Sequence, residues 1–130
     1  MFDNNVFIDG TCKNVVEDGK VIGYEMQTYI TYYRGIPLSM INYIAVEVDG
    51  VKVNPENIRF TPDHIDWFTL KEMETVGTIK WEYGEPGTVR VLAEGGLSKG
   101  THQVTLTVCT RTAYIPMPLE GTMTRTVVIE

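Results

Sequence analysis

The sequence predicts an all-β fold, a single antiparallel β-sandwich with at most one short helical turn. Three observations predict it. Short β-branched and aromatic runs recur between turn residues at a spacing of roughly ten, which suits a sandwich or barrel. Asp-Gly dipeptides stand between β-branched flanks at Asp18-Gly19 and Asp49-Gly50. Apolar and polar residues alternate with a period of two, while helical periodicity is almost absent.

Taken in chain order, a first strand is expected over Phe7 to Val15. The run Val15 to Ile22 then reads as a hairpin, because Gly19 tolerates positive φ and Asp18 does so at little cost, as a type I′ turn requires. From Tyr24 to Tyr33 a half-buried strand is expected, with Tyr24, Met26, Ile30 and Tyr32 sharing one face. Met40 to Val48 reads as a strand that enters a second hairpin through Asp49-Gly50. Another strand is expected over Ile65 to Leu70, and Thr69-Leu70-Lys71-Glu72 fits a capping box that opens one helical turn. After a strand over Thr88 to Leu92, the cluster Gly95-Gly96-Leu97-Ser98-Lys99-Gly100 is a turn that joins two sheets. The last strands are Gln103 to Val108, with Val104, Leu106 and Val108 inward, and Thr124 to Ile129.

A length of 130 residues suits one domain, so residues 1–130 are read as a single sandwich domain. With 43% hydrophobic and 22% charged residues, neither disorder nor a membrane protein is suggested. No apolar run reaches the roughly 18 residues needed to cross a bilayer. The opening Met1 to Asn5 is acidic and polar, unlike a signal peptide, so a cytoplasmic location is expected. Cys12 and Cys109 could pair, although two thiols in such a chain are more often reduced and buried. A net charge of -6 with scattered Lys and Arg argues against nucleic acid as a partner.

Residues able to carry catalysis are sparse. A nucleophilic triad needs a base beside the nucleophile, and the two histidines are His64 and His102. His102 shares the parity of Val104 and Leu106 and is expected to pack at a sandwich end. His64 and Asp66 would share a strand face, yet a metal site needs three or four ligands and no second cluster is visible. No catalytic residue, cofactor-binding residue or metal ligand is therefore assigned to this chain. Glu72, Glu74, Glu82, Glu85 and Glu94 lie near turns, as chance would place them on an acidic surface.

Two loops are unusual. Tyr32 to Met40 carries Tyr33, Arg34, Ile36 and Pro37 in a connection, and Ala113 to Leu119 carries Tyr114, Pro116, Met117 and Pro118. The two prolines keep the second segment from being a central strand. Such loops either plug their own sandwich or meet a partner, and Tyr, Arg, Met and Pro favour the partner. These eight residues are the candidates for a partner interface or the wall of a substrate cavity. Trp67, Trp81 and Tyr83 admit another reading, as platforms for sugar rings in a free-standing carbohydrate-binding module. A core Trp is the commoner fate.

Tyr32-Tyr33-Arg34-Gly35, Asn57-Ile58-Arg59-Phe60, Glu72-Met73-Glu74-Thr75 and Trp81-Glu82-Tyr83-Gly84 recur in an order that is specific as a set. With Gly95-Gly96-Leu97, Gly100, His102 and Tyr114-Ile115-Pro116-Met117-Pro118-Leu119, they make the chain resemble the small β subunit of bacterial C-glycoside deglycosidases. The resemblance runs over nearly the whole chain. It implies a non-catalytic subunit of a carbon–carbon lyase, paired with a TIM-barrel α subunit of the sugar isomerase type in a higher-order αβ assembly. It also implies a divalent metal, usually Mn2+, in that partner, and 3-oxo-glycosides of plant aglycones such as flavonoids as substrates. No cofactor is expected in this chain.

Overall fold

The computed structural model describes residues 3–32, 34–112 and 115–130, with backbone alone at 112, 115 and 116. It is an all-β structure. Strands β1 (Lys13–Glu17), β2 (Lys20–Thr28), β3 (Ile36–Pro37), β4 (Ile41–Val48) and β5 (Val51–Lys52) come first. They are followed by β6 (Ile58–Thr61), β7 (Phe68–Thr69), the single-turn helix α1 (Leu70–Met73), β8 (Lys80–Trp81) and β9 (Gly87–Leu92). The chain closes with two long strands, β10 (Gly100–Thr112) and β11 (Ile115–Ile129).

Two sheets form the layers, in the orders β1-β2-β9-β6-β7 and β11-β10-β4-β5, and a small ribbon pairs β3 with β8. All the pairings are antiparallel. Both Asp-Gly turns form as expected, because Asp18 and Gly19 (φ 50° and 77°) and Asp49 and Gly50 (φ 50° and 84°) all lie at positive φ. Gly95, Gly96 and Gly100 also take positive φ where the chain leaves β9 for β10 in the other sheet. Asn14 on β1 holds this crossing by a reciprocal pair. Its amide donates to the Leu97 carbonyl at 3.0 Å, and its carbonyl accepts the Leu97 N–H at 2.8 Å.

The period-two alternation decides what is buried. Tyr24 and Met26 of β2, Ile58 and Phe60 of β6, and Val89 and Val91 of β9 face Val104, Leu106 and Val108 of β10 and Ile44 and Val46 of β4 in one core. Trp81 is fully buried where the β3-β8 ribbon closes an end of this core. Its ring meets Phe60 edge-on at 4.9 Å and 61°, and its indole N–H donates to the Glu85 carbonyl at 2.8 Å. The indole thus meets both demands of a buried Trp, apolar contact and a partner for its N–H.

Several expectations need correction. The strand expected over Phe7 to Val15 begins only at Lys13, because Phe7 (φ 60°) and Gly10 (φ 78°) turn the preceding backbone. The strand expected to run to Tyr33 ends at Thr28, although Ile30 and Tyr32 are buried as expected; Tyr33 lies outside the described residues. Ile65 to Leu70 is strand only at Phe68–Thr69. The Pro116–Pro118 stretch is not a loop but part of β11, an edge strand of its sheet. Thr122 N–H, on the same strand, points away from β10 to the Asp3 carboxylate at 3.0 Å. By the alternation of an antiparallel ladder the Pro118 nitrogen faces the same way, so its missing N–H leaves no ladder bond unmade. The capping box at Thr69 and Glu72 forms with both of its hydrogen bonds.

Truncating Trp81 tests this packing. Trp81→Ala is expected to lower unfolding stability by about 3–5 kcal/mol, read as a lower urea midpoint with little change in slope; a loss below about 1 kcal/mol would show that the ribbon does not support the core.

Candidate partner-binding end of the sandwich

The strand registers bring several loops to one end of the molecule. Thr28 pairs with Gly87 and Thr61 with Thr88, so β2 and β6 end where β9 begins. In the other sheet Thr110 pairs with Ile41 and with Leu119, so β10 nears its end where β4 begins. The buried Thr31 hydroxyl ties the segment after β2 to β10 and β11 there, 2.9 Å from the Thr110 hydroxyl and donating to the Leu119 carbonyl at 3.1 Å. Three connections therefore share this end, the segment after β2, the loop between β6 and β7 and the turn between β8 and β9, together with the last described residues of β10 and the first of β11. The two Asp-Gly turns and the Gly95–Gly100 crossing lie at the other end.

Exposed large apolar side chains occur at both ends, Val16, Val51 and Val128 at the far one. The first end holds the two most exposed among the described residues, Ile65 at 77% and Met117 at 70%, together with the aromatic Tyr83 at 60% and Tyr29 in the segment after β2. Arg34 and Pro118 are exposed there and Pro37 is half-buried. Charged residues at this end include Asp66, Glu82 and Glu85, which are also exposed. Aromatic and Met side chains are enriched in protein–protein contacts.

The candidates read from the sequence divide accordingly. Arg34, Pro37, Met117 and Pro118 reach the surface of this end. Ile36 does not; its side chain is buried in the chain's own core beside Trp81, so that half of the loop is a plug. Tyr33 and Tyr114 lie outside the described residues, as does the side chain of Pro116. Trp81 is buried and cannot serve as a sugar platform. Trp67 is half-buried and already stacked, with the Arg90 guanidinium 4.0 Å from the ring centroid, while Tyr83 is open to solvent.

The two histidines lie at opposite ends of the sandwich, His102 at an end as expected. His64 does not share a strand face with Asp66; it takes φ 63° in the β6-β7 loop, with ring nitrogens 3.3 Å from the Thr88 hydroxyl. Among the described residues no three of His, Cys, Asp and Glu converge on a common point, so no metal-binding set is present in them. His102 packs at the opposite end, its Nδ1 donating to Asp49 at 2.7 Å and its Nε2 to the Ser98 carbonyl at 2.8 Å. Both ring nitrogens face acceptors, which is the arrangement an imidazolium satisfies. Burial pushes the Cys12 thiol up to about 11, so its nucleophilic thiolate is disfavoured; Cys12 and Cys109 are both free thiols.

Ile65 was not visible as a surface residue in the sequence, where it falls in an expected strand. The signal lay in Asp63, whose short side chain can take backbone N–H groups two and three residues on and fold the chain into a turn. It does so, accepting from Ile65 at 2.9 Å and Asp66 at 3.1 Å.

The chain is an all-β structure that carries exposed aromatic and apolar side chains at the end where β9 begins. The C-glycoside deglycosidase beta subunit family model matches residues 2–114, and the chain belongs to that family. It is 29% identical over 99 residues to a C-glycoside deglycosidase beta subunit of Eubacterium cellulosolvens, covering 76% of this chain and 67% of that one. It is 30% identical over 106 residues to a 3'-dehydrocarminate deglycosidase beta subunit of a Microbacterium species, covering 79% of each. As a beta subunit, the chain has a heteromeric partner subunit. No helix among the described residues is long and apolar enough to cross a membrane.

The His102 contact gives a pH test. Its pKa is raised above the ordinary 6.5, first by the hydrogen bond to Asp49 and then by the Ser98 carbonyl. A raised folded-state pKa contributes stability that is complete below the unfolded value and is lost as pH rises through the folded one. The His102 ring resonances should therefore titrate above 6.5 in NMR, and Asp49→Asn should move that midpoint down; no movement would show that the carboxylate does not hold the ring.

Proposed function

We propose that this chain is the non-catalytic subunit of a heteromeric C-glycoside deglycosidase that cleaves 3-oxo-glycosides of plant aglycones such as flavonoids, acting as a carbon–carbon lyase. The family match over residues 2–114 carries this reading. The partner is a TIM-barrel α subunit of the sugar isomerase type, several αβ pairs assemble, and the complex works in the cytoplasm. In the reaction the ketone at sugar C3 acidifies the C2 proton, a base takes that proton, and a C1–C2 double bond forms as the aglycone leaves C1 with its bonding pair. Such chemistry needs a positioned base and stabilisation of the developing enolate. In this reading the base belongs to the partner; the engagement of this chain's two histidines, His102 between Asp49 and Ser98 and His64 against Thr88, is consistent with it. The divalent metal that the family resemblance implies, Mn2+, belongs in this reading to the partner subunit.

The role left to this chain is to support the barrel and close one wall of the substrate cavity. The exposed or half-buried Arg34, Pro37, Met117 and Pro118 support this role, because three of them lie on strands β3 and β11, and side chains held by a sheet cost little ordering entropy on contact.

Two measurements test the reading. Coexpressed with its α subunit, the chain should yield a stable complex that releases aglycone from a 3-oxo-glycoside, while this chain alone releases none. A barrel subunit equally active alone, with no complex formed, would refute it. Within the complex, Arg34→Ala combined with Met117→Ala should weaken assembly by about tenfold or more and leave this chain's thermal unfolding unchanged. Unaltered complex yield on gel filtration would remove both residues from the interface.

A further inference from the structure

We infer that the loop between β6 and β7 is a preformed plug, with Ile65 at its tip, that seats in an apolar pocket of the partner subunit. The inference rests on the reading of this chain as an accessory subunit and names a contact within it. The loop has no regular secondary structure, yet it is tied down at successive points. The Thr61 hydroxyl accepts the His64 N–H at 2.9 Å and donates to the Asp63 carboxylate at 3.0 Å. The same Asp63 oxygen accepts the Ile65 and Asp66 N–H groups. The His64 ring rests against Thr88 on β9, and its Nε2 lies 3.4 Å from the Gln27 side-chain amide on β2. Beyond the tip, Trp67 stacks under Arg90, which is itself held by Glu25 at 3.0 Å.

All of these ties leave Ile65 without packing of its own. At 77% it is more exposed than the other large apolar side chains open to solvent among the described residues. The left-handed backbone at His64 (φ 63°) is uncommon for a side chain of that size, and the surrounding bonds hold it there. A rigid loop that presents an unpacked β-branched residue has already met the entropy cost of ordering before it binds. Such residues, when they fill a pocket, become the centres of binding energy.

The occupant is the partner subunit for three reasons. A beta subunit has such a partner; the loop lies within residues 2–114, which the family model matches; and it shares its end of the sandwich with Arg34 and Met117. Asp66 beside the tip, with Glu82 and Glu85 on the neighbouring turn, gives the rim an acidic character, so the pocket that receives Ile65 is apolar with basic groups around its mouth.

The test measures the affinity of the full chain for the purified α subunit by titration calorimetry. Ile65→Asp should weaken binding by about a hundredfold and Ile65→Ser by at least about tenfold, with thermal unfolding of both variants as in the unaltered chain. Val16→Asp, at an apolar site 64% exposed toward the other end, should bind as the unaltered chain does. If the Ile65 variants bind within about threefold of the unaltered chain, or if Val16→Asp weakens binding as much, the loop is not the plug and the accessory-subunit reading stands. If the unaltered chain does not bind the α subunit at all, both are overturned.

Discussion

Along β9 the side chains of Val89 and Val91 point into the core while those of Thr88 and Arg90 point out of it, and the two sets hold different things. Val89 lies between Met26 and Phe60, and Val91 between Tyr24 and Ile58, by the register with β2 and β6. On the outer face Arg90 ties to Glu25 and covers Trp67, and Thr88 backs the ring of His64. A one-residue slip of this strand would turn the valines to solvent and withdraw both supports of the β6-β7 loop. The core and the β6-β7 loop therefore depend on a single register.

That coupling explains why a loop without secondary structure can still be a precise element. Its strength lies in polar bonds to the sheet and within itself, each modest in water, added to a scaffold that hydrophobic burial has already fixed. The far end of the sandwich is built differently. There, tight Asp-Gly turns, the crossing held by Asn14 and the His102–Asp49 contact satisfy the groups nearby, and exposed aromatic residues do not gather.

Much of the fold could be read from the residues because local chemistry decides it. Gly at positive φ made both hairpins legible, Thr69 and Glu72 marked the helical turn, and the parity of Val104, Leu106 and Val108 set the face of β10. The prolines at 116 and 118 were correctly barred from a central strand, but an edge strand with Pro118 facing away from the ladder was hidden, because edge and loop place the same demand on a missing N–H. Ile36 and Trp81 illustrate a second limit. Nothing in a period-two pattern tells whether an apolar loop folds back to cap its own core, and here the β3-β8 ribbon does. Ile65 was obscured for the opposite reason: its neighbours resemble a strand, and one carboxylate, Asp63, bends them into a loop. Family membership was legible as a pattern of motifs spread over the chain, whereas the partner's contribution cannot be written in this chain's residues at all.

The central claim is that this protein works by binding, with the chemistry carried on another chain. Sedimentation velocity on an equimolar mixture of the purified chain and its α subunit tests that most directly. The account predicts that this chain's slow boundary disappears into a single faster species containing both subunits. Two independent boundaries, each at the position of the separate protein, would contradict it.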